Sequence, residues 1–363
     1  MSVGSQILVG DCRDTLKTIK SGSVHACITS PPYFGLRDYG HDSQIGLEPT
    51  PHKFVSELVK VFAEVHRVLR DDGTLWVNMG DSYVSGWRSS PDGMKPKDLM
   101  GVPWMLAFAL RDWGWYLRQE IIWHKPAPMP ESVQDRCTKS HEHIFLLSKS
   151  KSYFYDAEAI KEDSVSAGES RGGGHSASGT EIKYGKRTDT QRLNQYGKAP
   201  ATRNKRSVWS VAHQGFKGAH FAVFPPKLIE PCILAGSPEK CCSQCGLPFV
   251  REVERTRVPT RPGKDSKVNQ ASASDESPYE DHGGMVIGNR DPRRHVTATK
   301  TIGFQRSCDC DAESSKSIVL DPFAGSGTTA QVAQQNGRDW IMCEANPDYV
   351  SMIKKRTQQE VLF

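Results

Sequence analysis

Apolar residues follow two kinds of spacing along the first half of the chain, and these spacings predict strands separated by helices. Short apolar runs of strand length occur at 7–11, 24–28, 74–79, 120–123 and 143–147. Apolar residues that recur every three or four positions predict helices over 54–69 and 102–110, the first stopped by Asp71-Asp72-Gly73. Strands that alternate with helices are typical of an α/β fold with a mostly parallel sheet.

The pattern returns near the C-terminal end after two long interruptions. It predicts a strand at 318–320, a turn at 321–327, a helix at 328–335, a strand at 340–343 and a helix at 347–355. The interruptions are polar and lack periodicity. We therefore predict core segments at 1–157, 207–235 and 318–359, a basic Gly/Ser-rich loop at 158–206, an insertion at 236–317, and the start of a protease-cleavage tag at 360–363.

The second predicted strand ends in Thr29-Ser30-Pro31-Pro32-Tyr33. Two prolines fix φ and remove two N–H donors, so the strand cannot continue and its last carbonyls lack ladder partners. Ser30 adds a hydroxyl acceptor and Tyr33 adds a flat aromatic face. This set suits a planar base that carries an amino group; the alternative is a plain proline-terminated strand and turn.

A second motif, Asp321-Pro-Phe-Ala-Gly-Ser-Gly-Thr-Thr329, leads from a strand into a helix. Its glycines, Gly325 and Gly327, allow a tight turn and the approach of a ligand to the helix N-terminus. A phosphate-binding P-loop is excluded because no lysine follows Gly327. A dinucleotide site is a competitor, since Glu344 stands where a ribose-binding acid belongs. Asp321 opposes it, because a carboxylate repels a pyrophosphate but suits an ammonium or sulfonium.

The pair of motifs, in this order, resembles the amino-DNA methyltransferases of the permuted group called β. The stretches Gly10-Asp11, Trp123-His-Lys-Pro126 and His220-Phe-Ala-Val-Phe-Pro225 resemble its minor motifs. The resemblance implies a circularly permuted, Rossmann-like methyltransferase fold with a mostly parallel sheet flanked by helices. It also implies S-adenosylmethionine as methyl donor, double-stranded DNA as partner, and a base flipped out of the duplex. A cognate restriction endonuclease is a further partner suggested by this resemblance.

The resemblance also implies roles for residues. Ser30 and the Pro31 carbonyl would hold the amino group, with Pro32 shaping the turn and Tyr33 stacking on the flipped ring. The donor would lie against the glycine turn and two acidic strand ends, namely Asp11, Asp321, Phe323, Gly325, Ser326, Gly327, Thr328 and Glu344. For Asp11, a helix cap is the competing interpretation.

Ser30 bears on the target base. Family members with serine at this position are mostly cytosine N-4 enzymes, whereas adenine N-6 enzymes more often carry Asp or Asn. We therefore expect cytosine N-4, with adenine N-6 as the alternative. Methylation of ring carbon 5 is disfavoured because it needs a cysteine nucleophile. The candidate, Cys232, lies in an apolar helix pattern, where a packed thiol is the better interpretation.

Four cysteines have the spacing of a zinc site. Cys242 and Cys245 form a C-x2-C pair followed by glycine, and Cys308 and Cys310 form a second, tighter pair. Zinc binds four thiolates tetrahedrally, so a structural zinc in the insertion is predicted. The competing interpretation is four unrelated thiols.

Composition and charge further limit the partners and the location that we expect for the protein. The chain has 363 residues and a net charge of +5, a mild pointer to a polyanionic partner. Candidate DNA contacts are Arg37, Lys125, Arg203 and Lys205. No apolar run approaches the roughly 20 residues of a membrane helix, and no secretory signal is recognisable, so no membrane partner and a cytoplasmic location are expected. The family resemblance implies a prokaryotic or phage origin. A catalytically silent nucleic-acid-binding protein on the same fold is the alternative from another functional class.

Overall fold

The computed structural model describes residues 4–36, 44–84, 93–164, 170–171, 196–198, 202–213, 224–259 and 295–358. The chain divides into two units. The first comprises 1–160, 205–250 and 305–363, and the second comprises 161–204 and 251–304.

The strands are, in chain order, β1 (Gln6–Val9), β2 (Val24–Thr29), β3 (Leu69–Met79), β4 (Tyr116–His124), β5 (His141–Ser148), β6 (Glu162–Asp163), β7 (Ser170–Arg171), β8 (Tyr196–Lys198), β9 (Thr202–Arg203), β10 (Val208–Ser210), β11 (Cys241–Cys242), β12 (Phe249–Pro259), β13 (His295–Arg306), β14 (Ser314–Ser315), β15 (Ile318–Asp321) and β16 (Asp339–Glu344). The α-helices are α1 (Cys12–Thr15), α2 (Pro51–Val68), α3 (Val102–Trp113), α4 (Pro226–Gly236), α5 (Thr328–Gln335) and α6 (Pro347–Gln358). Among these helices, none has the length and apolar content to cross a bilayer.

The first unit is built on one eight-stranded sheet in the order β1-β16-β15-β2-β3-β5-β4-β10. Every neighbouring pair is parallel except those of β5, which runs antiparallel to both β3 and β4. The predicted mostly parallel sheet is therefore confirmed. β5 reverses because the described segment between β4 and β5 contains no crossover helix, and a parallel neighbour needs one.

Helices cover both faces of this sheet. All six residues of β2 are buried, as expected for a central parallel strand. Along β16, side chains alternate between two apolar clusters, with Ile341 and Cys343 in the cluster of α2 and α3, and Trp340 and Met342 in the cluster of α4 and α5. The fold is thus a three-layer sandwich with the sheet in the middle.

The end of α2 differs from the sequence prediction. The helix ends at Val68, and the predicted stop, Asp71-Asp72-Gly73, lies inside β3. Pairing passes from Val24↔Leu69 directly to Ala26↔Thr74, so residues 70–73 bulge opposite the single residue His25. Polar and glycine residues therefore mark a bulge within the strand as well as the end of the helix.

Both polar interruptions contain strands that periodicity did not predict. β6 pairs with β9, β7 with β8, and the longer β12 with β13, each pair forming a separate two-stranded sheet. The sequence of β12 consists mainly of charged and polar residues without regular alternation, so its apolar content is too low to be recognised as a core strand.

Candidate active site

A cavity of about 660 Å³ lies at the carboxyl ends of the central strands. This is the edge at which parallel α/β sheets bind ligands, and the volume is in the usual range for a small-molecule site. The predicted site residues that line it are Asp11, Ser30, Pro31, Pro32, Tyr33, Phe323, Gly325, Ser326, Thr328 and Glu344. The two sequence motifs, separated by almost the whole chain, thus meet in one cavity.

The Ser-Pro-Pro-Tyr turn follows β2 directly, because the strand ends at Thr29. Pro31 is buried, whereas Ser30, Pro32 and Tyr33 are partly exposed toward solvent. The Tyr33 ring packs closely over Gly80: a Cβ at that position would lie 2.8 Å from Tyr33 Cε2. The turn therefore fixes the ring of Tyr33 as one wall of the cavity.

A buried polar network holds the Tyr33 hydroxyl. It donates to Glu142 Oε2 at 2.7 Å, and Asn78 Nδ2 donates to both the Tyr33 oxygen (3.1 Å) and Glu142 Oε2 (3.0 Å). Lys125 Nζ donates to the other carboxylate oxygen, Oε1, at 2.5 Å and lies 4.5 Å from the centre of the Trp123 ring. Burial would raise the pKa of Glu142, but Lys125, Tyr33 and Asn78 outweigh it and hold this pKa below its ordinary value. Glu142 is therefore an ionised acceptor beneath the aromatic wall.

Asp321 lies at the end of β15, outside the cavity lining. It is 1% exposed and accepts hydrogen bonds from Thr29 Oγ1 (2.6 Å), Thr329 Oγ1 (2.7 Å) and the Phe323 N–H (3.0 Å). Burial raises its pKa to about 6, against the lowering effect of these donors. The carboxylate thus joins the end of β2 to the glycine turn and the first turn of α5.

Gly327 also lies outside the cavity lining, and its lack of a side chain allows α6 to pack closely against the turn. It has φ +81°, and a Cβ on it would come within 2.8 Å of Ile353 Cγ1 of α6. Gly325 does line the cavity, and its N–H donates to Glu344 Oε2 at 2.7 Å. Arg356 binds the side chains of Ser326 and Thr328 at 3.0 and 3.1 Å, so α6 also holds this turn.

Two carboxylates stand at strand ends on the cavity wall. Glu344 Oε1 accepts from the Asn346 N–H at 2.8 Å, and burial raises the pKa of Glu344. Asp11 caps α1 by accepting from the Arg13 N–H at 2.8 Å and forms an ion pair with the Arg13 guanidinium, whose hydrogen bonds lower the pKa of Asp11. Asp11 is therefore a helix cap, and it also lines the cavity, where a contact with the donor stays a prediction.

Sequence reasoning missed several lining residues. These are Asn78, Glu142, Phe224, Asn346 and Tyr349. For Glu142 a signal existed: it shares a strand face with Ile144 and Leu146, so an acid there enters an apolar surface and needs partners. Asn78 is likewise a polar residue within the buried part of β3. Its Oδ1 atom is buried and has no hydrogen-bond partner among the residues that the structure describes.

The predicted DNA contacts differ in their local partners. Arg37 lies outside the described residues. Lys125 forms an ion pair with Glu142, and the ammonium of Lys205 lies 5.1 Å from the centre of the Trp209 ring. Arg203, in the second unit, pairs with Glu162 at 2.8 Å.

The predicted metal ligands do converge. The sulfur atoms of Cys242, Cys245, Cys308 and Cys310 all lie within 4.8 Å of one another. All four belong to the first unit.

Comparison with known proteins identifies the family of the chain. The DNA methylase family model N6_N4_Mtase matches residues 24–241 and 310–355. The chain belongs to this DNA methylase family. Type II methyltransferase M.Cfr9I of Citrobacter freundii is 37% identical over 98% of the chain and 89% of its own length, and M.SmaI of Serratia marcescens is 36% identical over 97% and 90%. The PvuII DNA methyltransferase structure superposes with a TM-score of 0.56 at 16% identity, covering 98% of this chain and 87% of that one, which shows the shared fold.

The chemistry of the cavity lining suits a methyl donor that carries a ribose and an amino-acid group. Three of the lining residues suit such a donor. Glu344 has a carboxylate that can accept hydrogen bonds, Gly325 has no side chain to block the approach of a ligand, and Phe323 has an aromatic ring. The chain is thus a DNA amino-methyltransferase of the N4/N6 family, and S-adenosylmethionine is the donor that this family uses.

Proposed function

We propose that this enzyme methylates the exocyclic N-4 amino group of cytosine in double-stranded DNA, as the modification enzyme of a Type II restriction system. Ser30 carries the choice of base. Ser30 lines the cavity and immediately precedes Pro31, and its short side chain ends in a hydroxyl that can accept a hydrogen bond. Adenine N-6 is the alternative target, and the longer Asp or Asn side chain typical of that group is missing at position 30.

The chain's contribution to the reaction is mainly orientation. Ser30 and the Pro31 carbonyl would accept from the two amino hydrogens, which leaves the nitrogen lone pair directed at the methyl group. The Tyr33 ring would stack on the flipped base, and stacking of this kind contributes about 1–3 kcal/mol per base. Because the hydroxyl of Tyr33 is bound by Glu142, the ring is already oriented before a base arrives.

The donor would lie between Glu344, Phe323 and the turn at Gly325. S-adenosylmethionine supplies an electrophilic methyl group on a sulfonium. Glu344 would accept from ribose hydroxyls in addition to its two backbone donors, because a carboxylate has about four acceptor sites. Asp321 would act on the donor indirectly, by fixing the turn that contacts it.

No strong general base is required by this arrangement. Methyl transfer would break the sulfur–methyl bond, leaving the donor as a neutral thioether and the amino nitrogen positively charged, and the surplus proton on that nitrogen would then pass to water. The chain therefore needs to hold the amino group, not to deprotonate it in advance.

The sheet order supports the proposed circular permutation. β15 and β16, from the C-terminal end, lie between β1 and β2 from the N-terminal end. We also propose that residues 158–206 contribute to DNA recognition, because they are basic and rich in glycine and serine. The relatives named Type II methyltransferases match nearly the whole chain, which supports a role beside a cognate restriction endonuclease.

Nucleoside mass spectrometry tests the base. The protein is incubated with S-adenosylmethionine and plasmid DNA from a host without DNA methyltransferases, and the digested nucleosides are separated. N-4-methylcytosine is expected from the wild type and from the exposed control Ser152→Ala, with at least a tenfold loss in Ser30→Ala. N-6-methyladenine would contradict the Ser30 argument, and absence of both products together with absence of donor binding would favour a silent DNA-binding protein.

A further inference from the structure

Four cysteines from two separate segments form one compact cluster in the first unit. Cys242 and Cys245 belong to the turn that begins in β11, and Cys308 and Cys310 precede β14. All four are free thiols, with ligand atoms within 4.8 Å of one another. Four sulfurs around a zinc ion, with Zn–S bonds of ~2.3 Å, lie about 3.8 Å apart, so the cluster has nearly the required size.

The backbone holds the two halves of the cluster together. Gly246, at φ +71°, donates its N–H to the Cys242 carbonyl at 2.8 Å, and the Cys242 N–H donates to Leu247 O at 2.9 Å. β11 then pairs with β14, and the Ser243 N–H donates to Glu313 O at 2.9 Å. These bonds place the first cysteine pair beside the second.

This knuckle, residues 241–247 with 308–315, is attached to the central sheet at two points. Arg70 donates to the Cys245 carbonyl at 2.8 Å and to Asp72 at 3.0 Å. His25 Nε2 lies 3.2 Å from the Gly246 carbonyl, and its Nδ1 accepts from the Ile318 N–H at 3.0 Å. A side chain on Gly246 would collide with the Arg70 guanidinium, so the glycine is needed for this contact.

The attachment involves three neighbouring strands, of which β2 and β15 lead into the two motifs of the active site. His25 lies in β2, Arg70 in the bulge of β3, and Ile318 at the start of β15. The same β2 and β15 end in the Ser-Pro-Pro-Tyr and glycine turns. The knuckle therefore lies at the amino ends of strands whose carboxyl ends form the cavity.

We propose that Cys242, Cys245, Cys308 and Cys310 bind one structural Zn²⁺, and that Arg70 and His25 link this zinc knuckle to the methyltransferase sheet. Four thiolates fill a tetrahedral site and leave no open position, so the ion has a structural role. Because the unfolded chain lacks the preformed site, zinc binding adds to the stability of the sheet as well as that of the insertion.

Metal content tests the site on the full-length, reduced protein. About one zinc per chain is expected by plasma mass spectrometry after extensive dialysis. Replacement by Co²⁺ is expected to give the intense thiolate-to-metal and d–d absorption bands of a tetrahedral four-sulfur site. Cys308→Ser is expected to lose the metal and the bands, whereas Cys137→Ser, which removes an exposed thiol outside the cluster, retains both. Wild type that neither retains zinc nor gives the Co²⁺ bands would overturn the proposal, whatever the fate of the serine variant.

Chelator sensitivity tests the link to the sheet. Removal of zinc is expected to lower the thermal unfolding midpoint of the wild type by several degrees. Arg70→Ala is expected to keep one zinc per chain but to reduce this chelator-induced shift, because the knuckle and sheet are uncoupled. The exposed control Arg111→Ala is expected to behave as the wild type. An equal shift in Arg70→Ala and wild type would refute the coupling, and neither result depends on methylation activity.

Discussion

The Tyr33 hydroxyl donates a 2.7 Å hydrogen bond to Glu142 Oε2, and this bond connects the wall of the active-site cavity to a buried carboxylate on β5. Lys125 neutralises that carboxylate on its other oxygen. The orientation of the aromatic ring is thus set by an ion pair that lies outside the Ser-Pro-Pro-Tyr motif itself.

Substitution of Glu142 is expected to affect both stability and methylation. Glu142→Ala leaves the Lys125 ammonium without its carboxylate and the Tyr33 hydroxyl without its acceptor in a partly buried position, so we expect a loss of about 3–5 kcal/mol in the free energy of unfolding. Glu142→Gln keeps the shape and is expected to lose about 1–3 kcal/mol. Urea denaturation measures both, and the exposed Glu239→Gln serves as control.

A positioning role for Glu142 makes a further, kinetic prediction. Tyr33→Phe removes the same hydrogen bond while keeping the stacking ring. We expect Glu142→Gln and Tyr33→Phe each to lower kcat/KM, and the double variant to lose less than the product of the two factors. Strict multiplicativity would show that Glu142 acts independently of Tyr33.

Gly327 is expected to tolerate no side chain. Gly327→Ala combines a positive φ with a collision against Ile353, and we expect it to destabilise the protein by about 2–5 kcal/mol. Gly337→Ala is the matched control, because Gly337 also has a positive φ but a Cβ added there would meet nothing within 4 Å. Its cost is expected to be about 1–2 kcal/mol. Thermal or urea unfolding distinguishes them, and equal losses would remove the packing argument.

Glu344 and Asp321 are expected to differ in their effect on donor affinity. Glu344→Ala removes an acceptor from the cavity wall, so the Kd for S-adenosylmethionine is expected to rise about 10- to 100-fold. Asp321→Asn, which changes a buried group outside the cavity lining, is expected to raise it less and to lower stability by about 1–3 kcal/mol. Isothermal titration calorimetry provides the comparison. A larger effect at Asp321 would mean that its carboxylate contacts the donor directly.

Protonation of His25 is expected to make stability depend on pH. Burial, with a contribution from Arg70, lowers the pKa of His25 to about 4. Between the ordinary value of about 6.5 and pH 4, the unfolded chain binds a proton at this histidine that the folded chain does not, so stability falls as the pH falls. The loss approaches about 3 kcal/mol near pH 4.

His25→Gln isolates this contribution. Glutamine can donate to Gly246 O and accept from Ile318 N but does not titrate, so the difference in unfolding free energy between wild type and variant is expected to shrink as the pH falls from 6.5 to 4. Asp321 acts in the opposite sense, since its pKa is raised to about 6, but it is present in both proteins and cancels. A difference that is constant over this range would contradict a buried neutral His25.

The sequence predicts the strands and helices of the sheet well because parallel strands and amphipathic helices have strong, local periodicity. The helix Thr328–Gln335 and the proline end of β2 at Thr29 agree with their predicted positions. The bulge at 70–73 was not predicted, because Asp-Asp-Gly has the same composition in a turn and in a bulge, and only the pairing partner His25 distinguishes them.

The site was predictable where a motif is contiguous and was not where contacts are distant. Ser30 and Glu344 line the cavity, as their motifs predict, whereas Asp321, at the end of its strand, lies outside the cavity lining and is bound by Thr29 and Thr329. The Glu142–Lys125 pair depends on the antiparallel register of β4 and β5, which the sequence does not specify.

The position of β15 and β16 in the sheet has a consequence for biosynthesis. Both strands are inserted between β1 and β2, so the N-terminal strands have no partner on that side until residues 318–344 have emerged from the ribosome. Neither wall of the active site can be completed earlier, since Thr29 requires Asp321 and Gly10 requires Glu344. A nascent chain therefore gains the ability to modify DNA only after β16 has been synthesised.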